Sequence, residues 1–366
     1  MMMRRDSIFR SVRLLLLALF ADTALPAGLM AETPPAADDL IRQGLALAYS
    51  TPVAGEDTRR GIALLEKSAA TGSARAEVEL GSLYLYGDVV PRDLRRARGY
   101  FETAAAAGDW SGLAQFGAML MWREQDWQEG QRLLEQAAEQ GMASAWVTLA
   151  RGAMYGYLGG GSTSRAKYRA YADKAEAAGA PGMAVLEAER LQWGISVRAD
   201  GTEAVKVLRR AADAGDADAA RALIILLRDG NGLNIGKDRD AARAALSAYA
   251  PLLTEPDRWQ LDISIQAAEA RGTADYAALA SAVATHHDWV TKDLGNQLAR
   301  ANPNALIYLL QTRLVTAGHA PGRPDGFAGH KTLAAMNDAC PKVAAAALCR
   351  DSVLRPDVMA ALLTLH

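Results

Sequence analysis

The sequence predicts an all-α chain, an α-solenoid of helical hairpins followed by a small helical C-terminal module. Three observations predict it. A hairpin pattern with an apolar seam runs from Gly72 to Gly108. Glycines that close such hairpins recur at Gly72, Gly108, Gly141, Gly179 and Gly215, spaced 36, 33, 38 and 36 residues apart. Of the 366 residues, 50% are apolar and only 6% aromatic, alanine dominates, and no sustained alternation of β-branched residues argues for a sheet.

At the N-terminus, Arg4, Arg5, Arg10 and Arg13 precede or open the apolar run Leu14–Ala21, and small residues extend to Ala31. A basic region, a short apolar run and a small residue at a cut site read as a signal peptide over residues 1–31, with an uncleaved anchor as the alternative. The cut is expected after Ala31, with Ala27 as the alternative, and residues 32–38 are expected to form a flexible leader. Loss of four arginines and two aspartates would take the formal charge from −2 to −4. A mildly acidic, exported product is not a nucleic-acid binder by bulk electrostatics. No later segment is apolar and long enough to span a membrane.

The solenoid is expected over residues 39–250. Its first hairpin runs from Asp39 to Ala70, with Gly44 and Leu64-Leu65 in repeat positions. The second sets Leu80, Leu83 and Tyr84 on one helical face and Leu94, Ala97, Phe101, Ala104 and Ala105 on the next, with Gly87 as the break. Pro91 is expected in the first turn of the second helix, where its missing N–H costs nothing. The third hairpin spans Trp110 to Gln140, the fourth carries Gly159-Gly160-Gly161-Ser162 between its helices, and the fifth runs from Pro181 to Ala214. The sixth begins near Ala217 and reaches Tyr249. Each hairpin is too short to bury its own seam, so stacking on neighbours must do so.

This pattern resembles Sel-like repeats, relatives of the tetratricopeptide repeat. The match is best from Ala76 to Gly108 and at Gly230-x-Gly232-Leu233-x4-Asp238-x2-Ala241. The resemblance implies a protein–protein interaction scaffold whose groove holds an envelope protein partner. Exported relatives, by the same resemblance, serve envelope assembly or exopolysaccharide secretion, or regulate membrane sensor kinases.

Residues 251–301 are expected to cap the solenoid, with Trp259, Leu261, Ile263, Ile265 and Ala268 facing it. A second module is expected over residues 302–366. It rests on Leu310, Gln311, Leu314, Gly318, Gly322, Asp325, Gly326, Gly329 and Thr332, with Ala335 closing the series. Leu310 and Leu314 lie one turn apart on a helix that ends at Gly318, and Asp325-Gly326 makes a tight turn. This spacing resembles the three-helix peptidoglycan-binding domain, departing from it at His319, Ala328 and Ala339-Cys340. The resemblance implies tethering to peptidoglycan.

Cys340 and Cys349 are the only thiols. In an exported protein such a close pair suggests a disulfide. One straight helix from Pro341 to Cys349, rising about 1.5 Å per residue, would carry them past the roughly 7 Å Cα limit, so the bond requires a broken helix.

Little chemistry is legible. His286 and His287 on one helix would point about 100° apart and are poorly placed to share a metal, so a surface role is expected for them and Asp288. His319 and His330 fall in the second module as groove or turn residues. Gly230-x-Gly232-x3-Gly236 lacks both the strand and the lysine of a phosphate loop. No catalytic constellation, metal site or cofactor is expected, and the chain reads as a non-enzyme. A cell-wall hydrolase accessory protein is the alternative. Trp110, Trp122, Trp127 and Trp146 are a candidate aromatic ligand face, with core filling as the alternative; two rings exposed side by side would decide for the face.

Overall fold

The computed structural model describes residues 35–49, 55–87, 89–124, 126–159, 161–343 and 346–365. The expected signal peptide lies outside them. The described residues are helical, without strands. Two compact units divide them: one holds the residues up to Leu186 with Gly194–Arg198, the other Glu187–Trp193 with the residues from Ala199 onward.

The first unit contains α1 (Pro35–Ala48), α2 (Glu56–Ala69), α3 (Ala74–Tyr86), α4 (Leu94–Ala106), α5 (Ser111–Met119), α6 (Trp127–Glu139), α7 (Ser144–Tyr155) and α8 (Arg165–Ala177). Helix α9 (Met183–Trp193) begins in this unit, and the division falls within it. Helices pair as α1·α2, α3·α4, α5·α6 and α7·α8. The closing glycines Gly72, Gly108, Gly141, Gly179 and Gly215 have φ of +88°, +95°, +98°, +62° and +98°. A Cβ there would meet nothing, so backbone conformation rather than crowding selects glycine.

Second helices start at a recurring cap. Asp93, Asp126, Ser164, Asp200 and Asp238 each accept a backbone N–H from the first turn of the helix that follows. The cap corrects the expectation for Pro91, which stays in the loop while Asp93 opens α4 at Leu94. Proline does begin α1, so residues 35–38 are helical rather than a flexible leader. Ala37 is buried there, and its carbonyl accepts the Ser68 hydroxyl at 3.2 Å. Helix α5 runs on as a π-turn over Leu120–Glu124, which places Trp122 in a helix.

Contacts between hairpins repeat at the same period. Tyr171 donates to Glu135 at 2.6 Å across 36 residues. In the second unit Tyr249 donates to Asp213, also at 2.6 Å and across 36 residues. Burial and these hydrogen bonds raise both phenol pKa values. Phe101 is fully buried between neighbours with no side chain: a Cβ on Gly81 or on Gly112 would each lie 2.3 Å from its ring.

The second unit contains α10 (Gly201–Asp213), α11 (Ala217–Asp229), α12 (Arg239–Tyr249), α13 (Glu255–Glu269), α14 (Thr273–Thr285), α15 (Lys292–Ala301), α16 (Pro303–Thr316), α17 (His330–Ala339), α18 (Ala346–Asp351) and α19 (Pro356–Leu363). Its core corrects the expected boundaries at 251 and 302. One cluster joins Ile263, Leu279, Leu294 and Leu298 to Leu306, Leu310, Met336, Val358 and Leu362, so the expected cap and the expected module share an interior. Nor does the solenoid segment 39–250 form one unit, since α10 to α12 fall with that interior. Helix α19 packs closely on α15 at Gly295, where a Cβ would lie 2.5 Å from the Ala360 Cα. Arg228, with a fully buried side chain, bonds Asp229 through Nε at 2.7 Å and Nη2 at 2.8 Å, and reaches Gln297 at 3.3 Å. Cys340 and Cys349 form a disulfide with Cα atoms 5.9 Å apart. The helix is broken there by the 3₁₀ turn Cys340–Lys342.

Candidate functional site

The first helices of successive hairpins carry a half-buried polar row. On α3 it comprises Glu79, Ser82 and Tyr86, and on α5 Gln115. On α3 the apolar face opposite this row is buried, whereas α5 is buried almost all round, with Gln115 itself half-buried. Gln115 Oε1 accepts the Ser82 hydroxyl at 3.3 Å and the Tyr86 hydroxyl at 3.4 Å, tying one hairpin to the next. Burial raises the pKa of Glu79; Arg75 opposes the shift and Asp109 adds to it. A polar, half-buried row with an aromatic rim suits a peptide or helix laid along it. Sequence reasoning missed the row. Its available signal was the offset of 33 residues between Ser82 and Gln115, one repeat period.

On second helices, Arg98 donates to Glu102 at 2.8 Å and to Glu129 at 2.9 Å, while Arg96 donates to the Tyr84 hydroxyl at 3.1 Å. These arginines bridge helices rather than form a free basic face.

The residues of the second-module motif come together, but as a folding device. Leu310, Gln311, Leu314 and Thr332 are buried. Gln311 Nε2 donates to Asp325 Oδ1 at 2.9 Å, to the Phe327 carbonyl at 3.0 Å and to the Thr332 hydroxyl oxygen at 3.0 Å. Its Oε1 accepts the N–H groups of Asp325 and Gly326, both at 2.9 Å. Gly318, Gly322 and Gly326 hold φ of +81°, +90° and +82°, and Gly329 caps α17. The Gln311 hydrogen bond, followed by the Phe327 N–H, lowers the Asp325 pKa. What this clamped turn presents to solvent is Phe327, 65% exposed. The His319 ring bonds Asp338 through Nδ1 at 2.7 Å and Lys342 through Nε2 at 3.1 Å, whereas His330 is exposed at the start of α17.

The four tryptophans do not make an exposed face. Trp122 and Trp146 are buried, each 7% exposed, and Trp110 and Trp127 are half-buried against the same core. Trp146 stacks on Tyr171 at 6.1 Å and Trp122 meets Tyr157 edge-on at 4.7 Å. Alanine-rich seams leave gaps that large rings fill, which is why the cluster turned inward. Among the described residues no group of three or more His, Cys, Asp or Glu could hold a metal.

Helical hairpins repeating at this period define an α-solenoid repeat protein. A model of the Sel1 repeat matches residues 44–73, 74–109, 115–142 and 183–216. These matches support a Sel-like repeat protein; the hairpins α7·α8 and α11·α12 fall outside them. The crystal structure of a Sel1 repeat protein from Oxalobacter formigenes is 18% identical, aligned over 59% of this chain and 88% of that one, with a TM-score of 0.39. The protective antigen c5321 of uropathogenic Escherichia coli, displaying an SLR fold, is 16% identical over 83% of this chain and 68% of that one, with a TM-score of 0.27. No curated protein matches the chain.

Proposed function

We propose that this protein is an exported, non-enzymatic scaffold that serves cell-envelope assembly or exopolysaccharide secretion in the periplasm. Its solenoid takes a protein partner along the polar row of α3 and α5, and the turn around Phe327 contacts peptidoglycan. The observation that carries the reading is the run of Sel1-type hairpins, two of which are tied by the half-buried row of Ser82, Tyr86 and Gln115. Solenoids present extended surfaces to helices and extended peptides. The Cys340–Cys349 disulfide supports an oxidising compartment.

A photo-crosslinking side chain at Gln115, against a control at the exposed Lys67 of α2, tests the partner surface in the native envelope. An adduct confined to Gln115 supports the reading, and equal adducts at both positions overturn it. Amino-terminal sequencing of the periplasmic fraction should start near Glu32; a cytoplasmic product beginning at Met1 refutes export. The wall contact is tested by sedimentation with purified sacculi, in which the Phe327→Ser protein should stay in solution while the parent pellets. A clearing band in zymography would sink the non-enzymatic assignment.

A further inference from the structure

An aromatic corner lies in the second unit, away from the Gln311 turn. His286 and Trp289 stack in parallel, with centroids 4.3 Å apart and planes 12° from parallel. Trp259 stands edge-on to both, at 5.5 Å from His286 and 5.9 Å from Trp289. The corner opens onto a shallow, solvent-open depression lined also by Leu246, Glu255, Arg258 and Asp262.

The corner is built rather than incidental. Glu255, Arg258, Trp259 and Asp262 occupy one face of α13, spaced three and four residues apart. Gln260 on the same helix is buried; its Nε2 donates to the Trp289 carbonyl at 3.1 Å and its Oε1 accepts the Thr291 hydroxyl at 3.3 Å. The segment that carries Trp289 is thereby held against α13. Asp262 is oriented in turn by Gln266 at 2.7 Å and Arg243 at 3.4 Å. Glu255 and Arg258 have no ion-pair partner among the described residues.

Charge decides the ligand class. A cation drawn to the rings would meet Arg258, and an anion drawn to Arg258 would meet Glu255 and Asp262. A neutral polyol meets neither obstacle. Its hydroxyl pairs match a carboxylate or a guanidinium edge, and the C–H face of a pyranose ring covers an indole.

We propose that this depression binds a neutral pyranose saccharide, packed against the Trp259–His286–Trp289 corner and hydrogen-bonded by Arg258, Asp262 and Glu255. The site involves no protein partner and does not rest on the scaffold reading.

Calorimetric titration of the full chain with cellotetraose, maltotetraose and chitotetraose tests it, with choline and inorganic phosphate as charged probes. At least one neutral oligosaccharide should bind. Trp289→Ala should weaken that binding about tenfold or more, as loss of an aromatic anchor does. Because Trp289→Ala could disturb the fold, Arg258→Gln at an exposed position serves as a second variant and should weaken binding several-fold with an unchanged melting curve. Absence of binding by all three oligosaccharides overturns the proposal. So does affinity unchanged in both variants, or binding by choline or phosphate in place of the sugars.

Discussion

Two alanine substitutions in adjacent helices should move stability in opposite directions. Gly99 lies inside α4, exposed, with nothing within 4 Å of an added Cβ. Gly99→Ala should stabilise by about 0.5–1 kcal/mol, the ordinary gain from removing a mid-helix glycine. Gly81 lies inside α3 and would gain the same helical term. Its new Cβ, however, would sit 2.3 Å from Phe101 Cε1, a distance at which the ring must move. The ring cannot retreat past Gly112, whose own Cβ position is also 2.3 Å away. Overpacking of this kind costs about 1–3 kcal/mol, which offsets the helical gain and leaves a net loss of up to about 2.5 kcal/mol. Native-state hydrogen exchange in α3, α4 and α5 is the suitable assay, because a solenoid need not unfold in one step. Adding Phe101→Leu to Gly81→Ala should recover part of the loss, measured as a coupling in a double-mutant cycle. If Gly81→Ala slows exchange as Gly99→Ala does, the wedge between hairpins is not where the structure places it.

Other perturbations address the second unit. Gln311→Leu keeps the volume but strands the N–H groups of Asp325 and Gly326, and should cost on the order of 2–4 kcal/mol in denaturant unfolding. Arg228→Met leaves the Asp229 carboxylate without its bidentate partner and should lower stability by about 3–5 kcal/mol, read from hydrogen exchange in α11 and α15. The depressed pKa of Asp325 gives a signed pH dependence: its contribution is complete above the ordinary aspartate value of about 3.9 and is lost as pH falls through its own lower value. The difference in melting temperature between the parent and Asp325→Asn should therefore persist at neutral pH and close in acid.

The hairpins were legible because their signals are local. The glycine at each helix end and the apolar period report on a few neighbouring residues, and Gly108 behaves as its place in the pattern predicts, with φ of +95°. Pro91 was misread because two start signals stood side by side, and the Asp93 side chain prevailed by accepting the N–H groups of Arg95 and Arg96. Boundaries were not legible for a different reason. Ile263 and Leu362 share one core across 99 residues, and no local signal announces such a pairing. The tryptophans expose the same limit: Trp122 and Trp146 went inward, while Trp259, read as cap, lines a depression with His286 and Trp289. Ring type alone does not say which side of a helix will be covered.

The docking of α19 on α15 sets a schedule for synthesis. Leu294 and Leu298 cannot be covered by Val358 and Leu362 until the ribosome has added roughly 60 further residues, a wait of several seconds at about 5–20 residues per second. The hairpins of the first unit need no such distant strip and can settle as they emerge. The second unit must instead hold the apolar sides of α15 and α16 open to solvent until residues 356–363 arrive. During that interval the nascent chain is a natural client for a chaperone. A premature stop before Pro356 would leave its product permanently in that exposed state.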